Sequence, residues 1–273
     1  MTCHHLNLPR LMPLLVAVFC LSLLMAISPL QARETAWVQH GQEAKSRIIG
    51  SMQADNADTV WLAFEVALAD GWKTYWRSPG EAGLPVIISS SGQALPLAYP
   101  TPMRFELFGL QTFGYSKKVV IPFQLDRKKL DEAAQLDISF MVCKDICIPI
   151  EYSSPMPKKK FLDYTITIEE WLGKVPSEPS GTGLKIVRHR VVGPKGQQRV
   201  IVDVAGMEKP AAADLLIEGP AGMTFSKPSF VKKGSFIRFV LAAEGGSDMP
   251  DLRQEKLRMT VIDGTGQAID SRR

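Results

Sequence analysis

Two cysteines, Cys143 and Cys147, carry the most reactive side chains of this sequence once its first residues are set aside. Such a pair can form and break a disulfide, or present two soft thiolates to copper(I), with Met141 close by in sequence. A closed zinc site needs four ligands, and beyond the first residues the only imidazoles are His40 and His189, neither near the pair. In an extended strand, residues four apart lie about 13 Å from each other, whereas a disulfide holds its Cα atoms about 4.4 to 6.8 Å apart. Oxidation therefore requires Lys144-Asp145-Ile146 to turn, which puts the pair at the end of a hairpin, within reach of a partner. As a staple the bridge is poor, because closing a loop of about five residues contributes about 2 kcal/mol in the chain-entropy account, against nearly 5 for a loop of about 100. Lys144 favours a thiolate and Asp145 opposes it, so neighbouring charge does not decide the matter. Spacing alone leaves redox work, a local structural bridge and copper(I) binding open.

The elements around the pair read as β-structure. From Thr59, Val60, Leu62, Phe64, Val66 and Leu68 alternate with Trp61, Ala63, Glu65 and Ala67 until Asp70-Gly71 breaks the pattern. This is the signature of a half-buried strand ending in a turn. Short β-rich runs follow over 86–89, 119–125, 136–142 and 148–152, separated by Ser78-Pro79-Gly80 and Pro100-Thr101-Pro102. Pro122 marks its run as an edge strand, since proline donates no ladder hydrogen bond. Only 168–174 reads as helix. The stretch 175–183, rich in Pro, Ser and Gly, reads as a linker. Beyond it, 184–192, 199–204, 215–218, 236–241 and 256–262 are strand candidates at the spacing of a small sandwich. The lack of amphipathic helices between strands argues against a thioredoxin-like or other α/β domain. The expected fold is all-β, with two tandem immunoglobulin-like sandwiches over 33–174 and 184–273.

The amino terminus reads as a targeting segment. His4, His5 and Arg10 precede an apolar run over 11–27, and Leu30-Gln31-Ala32 ends in a small residue suited to cleavage before Arg33. The run falls short of the about 20 residues of a bilayer span. The expectation is an exported protein whose signal peptide, 1–32, is cleaved near Ala32. Phe19 precedes Cys20 where a lipidation site takes a small residue, so Cys20 reads as one more apolar position, and Cys3 and Cys20 leave with the signal. Export places the remaining pair where disulfides form and persist. Of the 273 residues, 45% are hydrophobic and 22% charged, with a net charge of +4, the profile of an ordinary globular protein. No basic stripe interleaved with aromatics accompanies that charge, so no nucleic-acid partner is expected, and Lys158-Lys159-Lys160 reads as a solvated loop.

Four ordered motifs carry a resemblance. Asp70-Gly71-Trp72-Lys73-Thr74-Tyr75-Trp76-Arg77, Phe105-Glu106-Leu107-Phe108-Gly109, Phe113-Gly114-Tyr115-Ser116 and Val142-Cys143-Lys144-Asp145-Ile146-Cys147-Ile148-Pro149 together resemble the amino-terminal periplasmic domain of DsbD-type thiol:disulfide interchange proteins. The likeness is to the suppressor-of-copper-sensitivity branch, in which this domain precedes a second β-domain; it covers 37–152 strongly and the rest loosely. The resemblance implies an immunoglobulin-like first domain, no cofactor, a periplasmic location, and a relay in which a thioredoxin-like protein reduces this domain, which then reduces client disulfides. It makes Cys143 and Cys147 the redox pair, with Cys147 the cysteine that joins clients. Phe105, Glu106, Leu107, Phe108 and Gly109 align with a cap loop shielding the pair, and Tyr75 with an aromatic residue near the site. Read alone, a place in a core stays open for Phe105, Leu107 and Phe108, and Trp72, Tyr75 and Trp76 read as core residues of the sandwich. Two departures stand out. The enterobacterial pattern has a longer gap between its cysteines and an acid where Phe105 stands, which leaves client choice open. The sequence also carries neither a membrane domain nor a thioredoxin-like domain, so the electrons are expected from a separate membrane donor.

Overall fold

Alternation over 59–68 does produce a long strand, and the rest of the first sandwich grows around it. The computed structural model describes residues 36–51, 58–132, 135–156, 164–178, 183–245 and 249–272. The expected signal peptide and the Lys158-Lys159-Lys160 run lie outside these residues. The first sandwich comprises β1 (Val38–His40), β2 (Ala44–Gly50), β3 (Thr59–Leu68), β4 (Lys73–Gly80), β5 (Ile87–Ser90), β6 (Gln93–Ala94), β7 (Met103–Leu107), β8 (Leu110–Ser116), β9 (Lys118–Asp126), β10 (Gln135–Cys143) and β11 (Cys147–Pro155). One sheet runs β1-β2-β3-β9; the other runs β6-β5-β10-β4-β8-β7, with β11 also paired to β10. The strand containing Pro122, β9, ends the four-stranded sheet. Leu62, Phe64, Val66, Ile121 and Phe123 from one sheet and Trp76, Ile88, Ile138, Phe140 and Val142 from the other form the core between them.

The outer face of β3 is not left to water as the alternation suggests. Helix α2 (Thr165–Leu172) lies over it, burying Ile168 with Ile49, Ala63 and Val120. A shorter helix, α1 (Arg127–Glu132), follows β9. Glu65 on the same face is buried and held by Arg47 at 2.7 Å and Lys118 at 2.5 Å, as a buried carboxylate must be.

The second sandwich comprises β12 (Lys185–Val192), β13 (Arg199–Ala205), β14 (Asp214–Glu218), β15 (Thr224–Phe225), β16 (Ser229–Lys233), β17 (Phe236–Glu244), β18 (Arg258–Ile262) and β19 (Ala268–Arg272). Its sheets are β12-β13-β17-β15, with β16 also on β17, and β14-β18-β19. The chain is therefore all-β, as its sequence implies. Within the expected linker, Ser177 donates its N–H to Ala268 and accepts from Asp270. The two sandwiches also touch through side chains: Leu216 of β14 is buried in the first core, and Arg77 of β4 meets Glu218 at 2.7 Å and Asp270 at 3.2 Å. All the described residues fall in one compact unit.

One carboxylate ties the second sandwich to acid conditions. Asp203 on β13 is buried between Arg238 and Arg188, each 2.7 Å away, and hydrogen bonding from Arg238 leads the effects that lower its carboxyl from 3.8 to about 2. A depressed folded value means the contribution is whole above the unfolded value and is lost as pH falls from there towards about 2. Asp203→Asn is expected to cost about 2 kcal/mol at neutral pH and to flatten the acid limb below about pH 4. Denaturant titrations from pH 7 to 2 measure both.

Candidate redox site

Strands β10 and β11 pair over their whole length and end with Cys143 facing Cys147. The Lys144 N–H donates to the Ile146 carbonyl at 3.0 Å, one step beyond the pair. The cysteines thus occupy a position without its own backbone exchange, where antiparallel strands approach most closely. They form a disulfide, with Cα atoms 4.2 Å apart. The turn that oxidation demanded of Lys144-Asp145-Ile146 is present, and all three residues are exposed.

The two sulfurs live in different surroundings. Cys143 is fully buried, in a cluster with Tyr75 and Leu107 against which Phe105 and Met141 pack. Cys147 is exposed. An incoming thiolate therefore has one sulfur to approach, and the other is shielded as a leaving group.

The floor of the site is β4. Lys73 stands opposite Cys143 and Thr74 opposite Val142, with the Thr74 hydroxyl donating to the Met141 carbonyl at 2.9 Å. Tyr75, one residue on, is buried, and its hydroxyl lies 4.0 Å from Cys147 Sγ. Burial raises its pKa, which keeps the phenol protonated. The Tyr75 ring lies over Gly83, where a β-carbon would stand 2.3 Å from it, so only glycine leaves the ring its place.

The cover is the β7–β8 hairpin. Met103 to Leu107 pair with Leu110 to Gly114, and Phe108 and Gly109 turn the chain at φ of 55° and 77°, the left-handed conformation a tight two-residue hairpin turn needs. Leu107 is buried against Cys143. The Phe105 ring stands 6.2 Å from that of Tyr75, and Lys73 Nζ lies over the Phe105 ring, 5.2 Å from its centre. Glu106 is exposed, and Phe108 is 62% exposed. Phe105, Leu107 and Tyr75 are thus brought onto the disulfide, whereas Glu106, Phe108 and Gly109 form the outer rim and tip. Phe108, which the resemblance places in the cap loop, stands exposed at its tip and not in a core.

The comparisons with known proteins fit this geometry. Residues 44–157 match the family model described as thiol:disulfide interchange protein DsbD, N-terminal. The match supports, for this part of the chain, the resemblance that the four motifs carry. Residues 174–271 match a domain of unknown function, DUF8393. The crystal structure of the N-terminal periplasmic domain of ScsB from Proteus mirabilis is similar at 25% identity with a TM-score of 0.70, over 88% of this chain and 96% of that one. No curated protein matches the chain. The DsbD-like domain is a thiol-disulfide exchange module with one cysteine pair, and among the described residues no helix is long and apolar enough to cross a membrane. Lys73 escaped the sequence reading although it lies within the first motif. Only the register that sets it opposite Cys143 gives it a place in the site.

Proposed function

We propose that the protein is a periplasmic carrier that accepts electrons from a thioredoxin-like partner and passes them to disulfides of envelope clients. The observation that carries this reading is the asymmetry of the pair, one sulfur exposed and one buried beneath an aromatic hairpin. In the reduced state, Cys147 thiolate attacks a client disulfide and expels one client thiolate. Cys143 thiolate then attacks Cys147 Sγ, re-forms the Cys143–Cys147 bond and releases the second client thiolate. Reloading runs in reverse: a partner thiolate attacks Cys147 Sγ, Cys143 leaves as thiolate, and the partner's second thiol resolves the mixed disulfide. The protonated Tyr75 hydroxyl supports this chemistry as a donor towards a thiolate on Cys147. The apolar cover keeps stray oxidants from the pair between encounters.

The test is to mix the reduced protein with disulfide-bonded proteins of a periplasmic extract and follow both partners by thiol alkylation. Client thiols should appear as Cys143 and Cys147 oxidise; no transfer would overturn the proposal.

Docking draws on exposed apolar residues at the tips of the two hairpins that carry and cover the pair, Ile146 at 61% exposure and Phe108 at 62%. Holding a phenylalanine at positive φ costs on the order of 1 kcal/mol, less for asparagine. Phe108→Asn is therefore expected to stabilise the protein by about 0.5 kcal/mol while slowing exchange with protein partners several-fold, measured by denaturation and by stopped-flow exchange.

A further inference from the structure

We propose that the second sandwich acts on the disulfide from a distance, as the holder of its cover, with Arg104 and Asp214 as positioning residues. The inference rests on the reading of residues 105–109 as a shield. Among the described residues β7 is the last strand of the seven-stranded sheet, paired only with β8, so the hairpin has no described sheet neighbour on its outer side. A side chain of β7 ties it to the second sandwich instead. Arg104, adjacent to Phe105, forms a two-pronged ion pair with Asp214 of β14, both contacts at 2.9 Å, and reaches the Leu215 carbonyl at 3.3 Å. The same guanidinium braces the hairpin from within, donating to Gln111 Oε1 at 2.6 Å and lying 4.8 Å over the Phe113 ring.

The floor strand is gripped by the same sandwich. Arg77, two residues beyond Tyr75, donates to Glu218 at 2.7 and 2.9 Å and to Thr260 at 3.0 Å, and its guanidinium lies 3.9 Å from the Trp76 ring centre. Glu218 and Asp214 are the two ends of β14. One short strand therefore holds β4, which supplies Tyr75, and β7, which supplies Phe105 and Leu107, at a fixed separation. Arg104 and Asp214 are only 13% and 21% exposed, so the fork is shielded from salt more than a surface pair is. Lifting the hairpin off Cys143 strains or breaks this fork.

Release of the fork should show in the rate at which a small reductant reaches the disulfide. In the full-length protein, reduction of Cys143–Cys147 by dithiothreitol, read by alkylation and mass spectrometry, is expected to be about tenfold faster in Asp214→Asn than in wild type. Asp203→Asn breaks a buried ion pair elsewhere in the same sandwich and is expected to leave the rate near wild type. Arg104→Lys keeps the charge but loses the fork; it should shift the rate in the same direction, and it carries the test alone if Asp214→Asn does not fold. An unchanged rate, or an equal rise in Asp203→Asn, overturns the proposal. Phe105→Ala separates the two readings. If it accelerates reduction while Asp214→Asn does not, only the holder falls; if neither accelerates it, the cover falls as well.

Discussion

Replacing Cys143 with serine is expected to turn the protein from a carrier into a trap. The remaining thiol, Cys147, is exposed and still attacks client disulfides, but nothing resolves the mixed disulfide that results, because a serine hydroxyl is no substitute for a thiolate. Covalent adducts should accumulate and vanish on reduction. The reciprocal change, Cys147→Ser, leaves only a thiol with no exposed surface; adducts should be absent and transfer should fall to the uncatalysed background. Both variants are expected to fold, since the lost bridge closes a short loop worth about 2 kcal/mol. Non-reducing electrophoresis of the two variants after exposure to a periplasmic extract makes the comparison. Equal adducts on both would mean that burial of Cys143 does not direct the chemistry.

A second large effect should come from a residue far from the sulfurs. Leu216 lies on β14, yet only 2% of it is exposed and it packs in the core of the first sandwich. Leu216→Ala removes most of that side chain and leaves a cavity between the two halves, at an expected cost of about 3 kcal/mol. All five tryptophans, Trp37, Trp61, Trp72, Trp76 and Trp171, precede the second sandwich in sequence. Their fluorescence therefore reports the first sandwich alone. Urea denaturation should show the tryptophan transition of Leu216→Ala shifted to lower denaturant, although the substitution lies in the other sandwich. An unmoved transition would mean that the two halves are stable independently.

These effects mark where sequence reading works and where it stops. The hairpin at Cys143 and Cys147 was legible because bond geometry forbids a disulfide across an extended five-residue segment. The inner face of β3 was legible from its alternation. Its outer face was not, because the helix that covers Ala63 comes from residues about 100 positions later, and no local period announces it. Strand β4 stayed hidden for another reason: Ser78-Pro79-Gly80 reads as a break, whereas the strand runs on to Gly80 through a register shift after Tyr75. Strands β7 and β8 lack clean alternation: Phe105 and Leu107 pack on the disulfide, whereas Phe113 and Tyr115 pack on the sandwich core. For Phe108 the apolar side chain left a core place open beside the cap loop, because positive φ is invisible in composition. The Arg104 and Asp214 fork joins residues 110 apart in sequence, and neither residue type nor spacing hints at the pairing.

The central claim, that Cys143–Cys147 is a working disulfide rather than a staple, is tested most directly by its reduction potential. Equilibrating the full-length protein against dithiol and glutathione buffers and counting free thiols gives that value. A short loop and an exposed Cys147 place the bridge among labile disulfides, so a potential above about −300 mV is expected. A value well below about −300 mV, where structural bridges resist reduction, would contradict the account.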